Sequence, residues 1–175
     1  MQNESHVELT RRHLVLCCAG LALAGCGPRQ LVKLGFIGGL SDRNADNWQA
    51  CHNAVVLAVE QFNREGGLDA RLVELVTRDA AQNPETARKS ARALVQAGVG
   101  AVIGPFTSSM AAVIVPILGQ AGIFEVSPTI TSMSFHGQDG NLFRINRTTR
   151  DNARDYARTL VSLGQPRSAS HRAGP

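Results

Sequence analysis

The feature that most constrains the fold is a regular alternation of two kinds of segment from residue 31 onward. Short apolar runs lead into glycine-rich or polar turns, and longer segments follow in which apolar residues recur every three or four positions. The runs are typical of strands in a parallel sheet covered on both faces, and the spacing in the longer segments indicates helices. Because parallel strands need such crossovers, the sequence predicts an α/β fold with a doubly wound, mainly parallel sheet. The predicted strands are 31–37, 72–77, 101–103, 124–126 and 142–145.

Capping residues mark the predicted helix ends. The Asn-Pro-Glu sequence at 83–85 supplies a side-chain cap, a first-turn proline and an acid near the positive helix end, and Gly98 ends that helix. Thr148, with Asp151 three residues later, opens another helix that ends at Gly164. The remaining predicted helices cover 48–62 and 109–121.

Two clusters of hydroxyl side chains follow neighbouring predicted strands. In doubly wound sheets, ligands bind outside the carboxyl ends of the strands, which here are the loops at 38–46, 79–83, 104–109 and 127–141. The sequence GPFTSS at 104–109 opens a helix, where free N–H groups and hydroxyls favour an anion, and SPTITS at 127–132 lies on the same edge. Together they predict a carboxylate site; the alternative is that they are only a helix cap and turn residues.

The N-terminal segment resembles an export signal. Arg11 and Arg12 precede an apolar run at 14–24, which is too short to span a bilayer, and the run ends Leu-Ala-Gly before Cys26. This order resembles the lipobox of bacterial lipoproteins and predicts that residues 1–25 are removed and that Cys26 carries lipid. An ordinary signal peptide and a buried apolar helix are the alternatives, and the route is either general or twin-arginine export.

Composition excludes several kinds of function. The formal net charge of +4 is scattered along the chain, and aromatic residues make up 5% of it, which argues against nucleic-acid binding. After the signal, Cys51 is the only cysteine that does not carry lipid, so no internal disulfide is expected, and we expect a buried, inert thiol. His52, His136 and His171 lack metal-ligand spacing and suit surface or turn positions, so no metal site is predicted.

No motif indicates an enzyme or a cofactor. The segment GFIGG at 35–39 does not have the glycine spacing of a dinucleotide-binding turn, and neither a phosphate-binding P-loop nor a nucleophile elbow occurs in the chain. Asp79 ends the second predicted strand and is interpreted as a carboxylate that fixes its loop rather than as a catalyst or phosphoacceptor. We therefore expect no catalytic residue and no cofactor.

Ordered segments along the chain carry a family resemblance. They are VKLGFIGGLS at 32–41, AVEQFN at 58–63, VELV at 73–76, VIGP at 102–105 with the serines at 108–109, and VSPT at 126–129 with Thr-Ser at 131–132. In order and spacing they resemble type I periplasmic binding proteins, which supply amino acids, especially branched-chain ones, to ABC importers.

The resemblance implies a ligand cleft between two lobes that close like a hinge. It implies that the Ser108 hydroxyl donates to the ligand carboxylate, that the Thr129 backbone meets the amino or carboxylate group, and that the Thr131 hydroxyl adds a contact. The implied partners are an amino-acid-like solute and an ABC transporter permease. The lipid on Cys26 would anchor the protein to the membrane, so that it lies in the periplasm or on the outer face of the membrane. The other candidate contacts are Ser41, Trp48 and Ser109.

The resemblance also implies a domain division. Residues 26–146 correspond to the first lobe, 147–164 to the hinge crossing and the first helix of the second lobe, and 165–175 to a tail without strand pattern. Because family members are roughly twice as long, the expectation is a truncated protein, from a frameshift, premature stop or gene fragment, with weak or no ligand binding. The alternatives are an exported sensor module of the same fold and a small flavodoxin-like enzyme.

Overall fold

A computed structural model describes residues 31–43, 45–138 and 140–164 of the chain. The predicted signal, Cys26 and the tail at 165–175 lie outside these residues. None of the helices within them has the length and apolarity needed to cross a membrane. The strands are β1 Val32–Gly38, β2 Val73–Asp79, β3 Ala101–Ile103, β4 Phe124–Ser127 and β5 Leu142–Arg144. The helices are α1 Ala45–Arg64, α2 Pro84–Ala97, α3 Ser108–Gln120 and α4 Thr149–Ser162, with a 3-10 turn at Met133–Phe135.

The strands form one sheet in the order β2-β1-β3-β4-β5, and all of its pairings are parallel. Each predicted strand is present; the strand at 101–103 has the predicted ends, and the ends of the others differ by at most two residues. The register pairs Leu34 with Leu75 on β2 and with Ala101 on β3. The predicted fold class, an α/β protein with a parallel doubly wound sheet, is confirmed.

Successive strand residues point to opposite sides of the sheet, so both faces carry apolar side chains. Helices cover both of these faces. Leu34 and Ile103 line a cavity together with residues of α1, while Ile37 and Val102 belong to the core formed with α2 and α3. That core consists of buried aliphatic residues and Met110, and its strand residues are close to fully shielded from water. Burial of this kind contributes about 25 cal/mol per Å² of apolar surface and is the main source of stability.

The predicted caps are present. The Asn83 side chain accepts hydrogen bonds from the backbone N–H groups of Glu85 and Thr86, and Gly98 ends α2 in the left-handed conformation. Thr148 and Asp151 form the reciprocal capping box of α4. The helix predicted at 109–121 begins one residue earlier, at Ser108, with Thr107 at the cap position.

Coverage of the α1 face is incomplete toward β5. Phe124 and Phe143 stack with ring centroids 4.5 Å apart, yet each is close to half exposed. Helix α4 likewise has no buried residue, and Tyr156 and Val161 on it are largely exposed. The buried core therefore lies mainly between the sheet and the α2–α3 pair.

Candidate functional site

The strand order reverses between β1 and β3, which places a crevice at their carboxyl ends. The loop after β1 and the start of α3 border an open cavity of about 700 Å³ there. Ser41 and Ser109, both predicted from the sequence, line it together. The remaining lining residues are Asp42, Arg43, Ala81 and Gln82.

The turn after β3 packs directly onto the end of β1. Gly104 has a φ of +115°, and a Cβ at this position would collide with the carbonyl oxygen of Ile37. Only glycine fits this combination of conformation and close approach. The chain then passes through Pro105 and Phe106 into α3, so the helix N-terminus lies beside the ends of β1 and β4.

The two hydroxyl clusters meet at adjacent strand ends. The Ser127 hydroxyl donates to the Pro105 carbonyl at 2.6 Å, and the Thr129 hydroxyl donates to the Phe106 carbonyl at 2.5 Å. The Ser108 Oγ accepts a hydrogen bond from the backbone N–H of Ser132 at 3.4 Å. The loops at 104–109 and 127–132 therefore form one hydrogen-bonded unit.

These contacts determine which groups remain for a ligand. The hydroxyl protons of Ser127 and Thr129 are used on backbone carbonyls, as the turn interpretation expects. The Ser108 oxygen accepts from the Ser132 N–H, and none of the described groups accepts the Ser108 hydroxyl proton. Thr107 makes no side-chain cap to α3, which leaves first-turn N–H groups with no side-chain acceptor from the cap position. Thr131 receives two hydrogen bonds from Thr149 at its carbonyl, and its hydroxyl pairs with none of the described groups.

Asp79 fixes the loops on the β1–β2 side, as the sequence predicts. Its Oδ1 accepts from the N–H groups of Leu40 and Ala81, each at 2.8 Å, and its Oδ2 accepts from the Ser41 hydroxyl at 2.5 Å. Its carbonyl accepts from the Ser90 hydroxyl on α2. The Ser41 proton is thus directed to Asp79, and the Ser41 oxygen keeps its acceptor capacity for the cavity.

Trp48 lies on α1 against the turn after β3. Its ring centroid is 5.4 Å from that of Phe106, and its Nε1–H is buried without a hydrogen-bond partner among the described residues. Both rings border a small void of about 10 Å³. The structure therefore places Trp48 on α1 against Phe106, and Trp48 is not among the residues that line the crevice cavity.

Gln82 is a site residue that the sequence analysis missed. Its Oε1 accepts from the Thr107 hydroxyl at 3.0 Å, and Thr107 lies 3.3 Å from the Ser109 hydroxyl. Gln82 and Ala81 have φ values of +46° and +48°, which non-glycine residues adopt rarely. Its position in the predicted ligand loop at 79–83 was the only available signal.

Other candidate residues have structural roles. His52 is half-buried, in contrast to the predicted surface or turn position, because its ring packs edge-on against Phe36 and its Nε2 lies 2.8 Å from the Thr77 hydroxyl. His136 is exposed in a turn, as predicted, and His171 lies outside the described residues. Cys51 is half-buried rather than buried. The described residues contain no group of three or more His, Cys, Asp or Glu side chains placed to hold a metal ion.

Comparison with known proteins gives the family. The family model described as "Periplasmic binding protein" matches residues 31–171. Leu/Ile/Val-binding protein homolog 7 of Brucella suis is 26% identical over 161 residues, which cover 90% of this chain and 39% of the relative. A Leu/Ile/Val-binding protein of Rhizobium johnstonii is 30% identical over 101 residues, 58% of this chain and 28% of the relative. The chain thus spans well under half the length of these relatives.

Solved structures share the fold. The branched-chain amino acid substrate-binding protein of Streptococcus pneumoniae, in complex with isoleucine, is 32% identical and has a TM-score of 0.64, covering 68% of this chain and 34% of that chain. A substrate-binding protein of Desulfitobacterium hafniense, in complex with Leu, is 29% identical with a TM-score of 0.63, covering 77% and 40%. Sequence and fold agree, and the chain belongs to the type I periplasmic binding protein family.

Proposed function

We propose that this chain forms the first lobe of an extracytoplasmic solute-binding lipoprotein that serves an ABC importer for amino acids or similar small polar solutes. Relatives named for Leu/Ile/Val binding and structures with isoleucine or Leu support this ligand class. Residues 26–146 would form the lobe, and 147–164 the hinge crossing and the start of a second lobe. The proposal contains no catalytic step, cofactor or metal.

The observation that carries the proposal is the position of Ser108. Its oxygen accepts from the Ser132 N–H, and because no described group accepts its proton, that proton is available to a ligand at the first turn of α3. N–H groups at a helix N-terminus favour a carboxylate, and a hydroxyl beside them adds a directional donor. In the proposed complex the ligand carboxylate binds Ser108 and the first turn of α3, including the Ser109 N–H. The Thr129 backbone and the Thr131 hydroxyl complete this side, and Ser41 and Trp48 border it.

Backbone amide shifts test these contacts residue by residue. Titration of the chain 26–175 with L-leucine should move the amide signals of Ser108, Ser109 and Thr129, and Ser108→Ala should reduce that response by about tenfold in apparent affinity. Ser162→Ala, which removes an exposed hydroxyl on α4, is the matched control and should titrate like the parent. Shifts confined to residues far from the crevice would contradict the site.

The affinity for amino acids tests how tightly a single lobe binds its ligand without a second lobe opposite it. A single lobe lacks opposing contacts and does not exclude water, so calorimetric titration with amino acids should detect no tight binding. Submicromolar affinity would refute this part of the proposal while leaving the Ser108 contact in place.

Lipidation at Cys26 is a separate part of the proposal. The lipobox-like sequence before Cys26 supports it. Palmitate labelling and globomycin-sensitive processing of the precursor should depend on Cys26. If Cys26→Ala still attaches normally to the membrane, the lipoprotein assignment fails.

Delivery to a transporter is favoured over a sensor role because the structural relatives above are named as transporter substrate-binding proteins. Neighbouring permease and ATPase genes would support import. A neighbouring histidine kinase or cyclase gene would instead favour the sensor module.

A further inference from the structure

A second cavity, of about 370 Å³, lies on the α3 face of the sheet, and none of its lining residues borders the 700 Å³ crevice cavity. Helix α3 forms one wall with Val115 and Pro116, and the segment between β4 and β5 forms another. Its volume lies in the range of small-molecule sites, which is about 300–1,000 Å³.

Glu125 on β4 contributes to the wall of this cavity and has an unusual environment. The residue is fully buried, and neither carboxylate oxygen has a hydrogen-bond partner among the described residues. Its register partner Val102 belongs to the apolar core on the same face. A buried acid without a partner is costly, and packing alone would favour an apolar residue here.

The surroundings of Glu125 select the charge of an occupant. The described lining residues include no Lys, Arg or His. Arg144 lies on the same face of β5 but donates to the carbonyl of Ser132. His136, in the β4–β5 segment, is exposed. Burial without a compensating cation raises the pKa of Glu125 to about 8.

The other walls select the shape of an occupant. Pro116, Val115 and Leu142 offer apolar surface, and Phe135 offers an aromatic ring. Gln120 and Asn141 carry amide oxygens that accept hydrogen bonds from an ammonium group. An apolar body with one ammonium group matches both sets of walls.

We propose that the cavity bounded by α3, β4 and the β4–β5 segment is a binding site for a small organic monocation, a primary amine with an apolar body whose ammonium group pairs with Glu125. The site is independent of the amino-acid crevice, because a carboxylate ligand there binds hydroxyls and helix N–H groups.

Benzylamine and benzyl alcohol test the proposal as a charged probe and its neutral analogue. With the purified chain at pH 8, benzylamine should raise the melting temperature in a saturable way and shift the amide signals of Gly119, Gln120 and Asn141. Benzyl alcohol should bind at least about tenfold more weakly, because a charged group forms a stronger hydrogen bond than a neutral hydroxyl does. The signals of Ser108 and Thr129 should stay in place, which separates this site from the proposed crevice.

Glu125→Gln is the decisive variant because it keeps the side-chain shape and removes the charge. It should lose benzylamine binding by about tenfold or more, whereas Glu74→Gln, at an exposed position on β2, should bind as the parent does. The proposal is overturned if benzylamine has no saturable effect, or if potassium chloride produces the same effect as benzylamine. It is also overturned if benzylamine and benzyl alcohol bind equally well, or if Glu125→Gln binds benzylamine as the parent does.

Discussion

The Ser41 hydroxyl donates to Asp79 Oδ2 at 2.5 Å, so the loop after β1 is held by the last residue of β2. The second oxygen of Asp79 accepts the N–H groups of Leu40 and Ala81. One carboxylate thus sets the positions of two loops at the crevice. Such loops carry ligand contacts only if a rigid scaffold positions them.

Removal of this carboxylate should loosen both loops. Asp79→Ala leaves three donors without their acceptor, and we expect a loss of about 2–4 kcal/mol in the free energy of unfolding. Urea denaturation measures the change. Glu60→Ala, which removes an exposed carboxylate on α1, is the control and should change stability by less than about 0.5 kcal/mol. Equal losses in the two variants would show that Asp79 does not fix the loops.

Gly104 should tolerate no side chain. Gly104→Ala combines a φ of +115° with a collision against the Ile37 carbonyl, so we expect destabilisation of about 3 kcal/mol or more, or failure to fold. Gly100→Ala is the matched control, because an added Cβ there meets nothing within 4 Å. Thermal unfolding of the two variants compares them directly, and a mild effect at Gly104 would mean that the turn after β3 can move away from β1.

Residues with local signals were predictable, and residues defined by tertiary contact were not. The Asn83 cap, the Gly98 stop and the Thr148–Asp151 box follow from neighbouring side chains, so the sequence alone identifies them. The meeting of the two hydroxyl loops also follows, because adjacent parallel strands end at the same edge. Gln82 escaped prediction because nothing nearby in the sequence marks a left-handed turn at Ala and Gln.

Glu125 shows a different limit. A polar residue within a short apolar strand is normally taken to face water, and the sequence does not show that α3 and the segment before β5 flank Glu125 and bury it beside a cavity. The same holds for His52, whose burial depends on Phe36 and Thr77 from other elements. Burial of a polar side chain is set by long-range packing, which a local pattern does not report.

Thr148 should control the start of α4. Thr148→Ala removes the hydroxyl that accepts from the Asp151 N–H, and loss of such a cap costs about 1 kcal/mol. Because α4 has no buried residue, amide exchange should accelerate in α4 and remain unchanged in α2. Thr159→Ala, later in the same helix, is the control and should leave the first turn protected.

The same substitution should change the titration of Asp151. The hydrogen bond from the Thr148 side chain is the main cause that lowers the pKa of Asp151 in the folded chain. A lowered pKa stabilises the fold above the ordinary value for aspartate, and this contribution is lost as the pH falls. In Thr148→Ala the pKa should rise toward the ordinary value, as measured by carboxyl shifts during an acid titration. An unchanged pKa would assign the effect instead to the backbone N–H of Thr148, which the variant keeps, and to the nearby Arg147 and Arg154.

Glu125 should make the fold less stable as the pH rises. Burial raises its pKa from 4.5 to about 8, so between these values the folded chain holds a proton that the unfolded chain has released. The free energy of unfolding therefore falls across this window, by at most about 1.4 kcal/mol per pH unit, and levels off above pH 8. Melting temperatures measured from pH 5 to pH 9 should show this decline.

Glu125→Gln isolates that contribution. The amide cannot ionise, so the variant should lose the Glu125 part of the decline and gain stability over the parent as the pH rises toward 9. Glu74→Gln, at the exposed position, should follow the parent profile at every pH. If parent and Glu125→Gln have parallel profiles, Glu125 ionises at its ordinary pKa in the folded chain, which requires water or another group to reach its carboxylate.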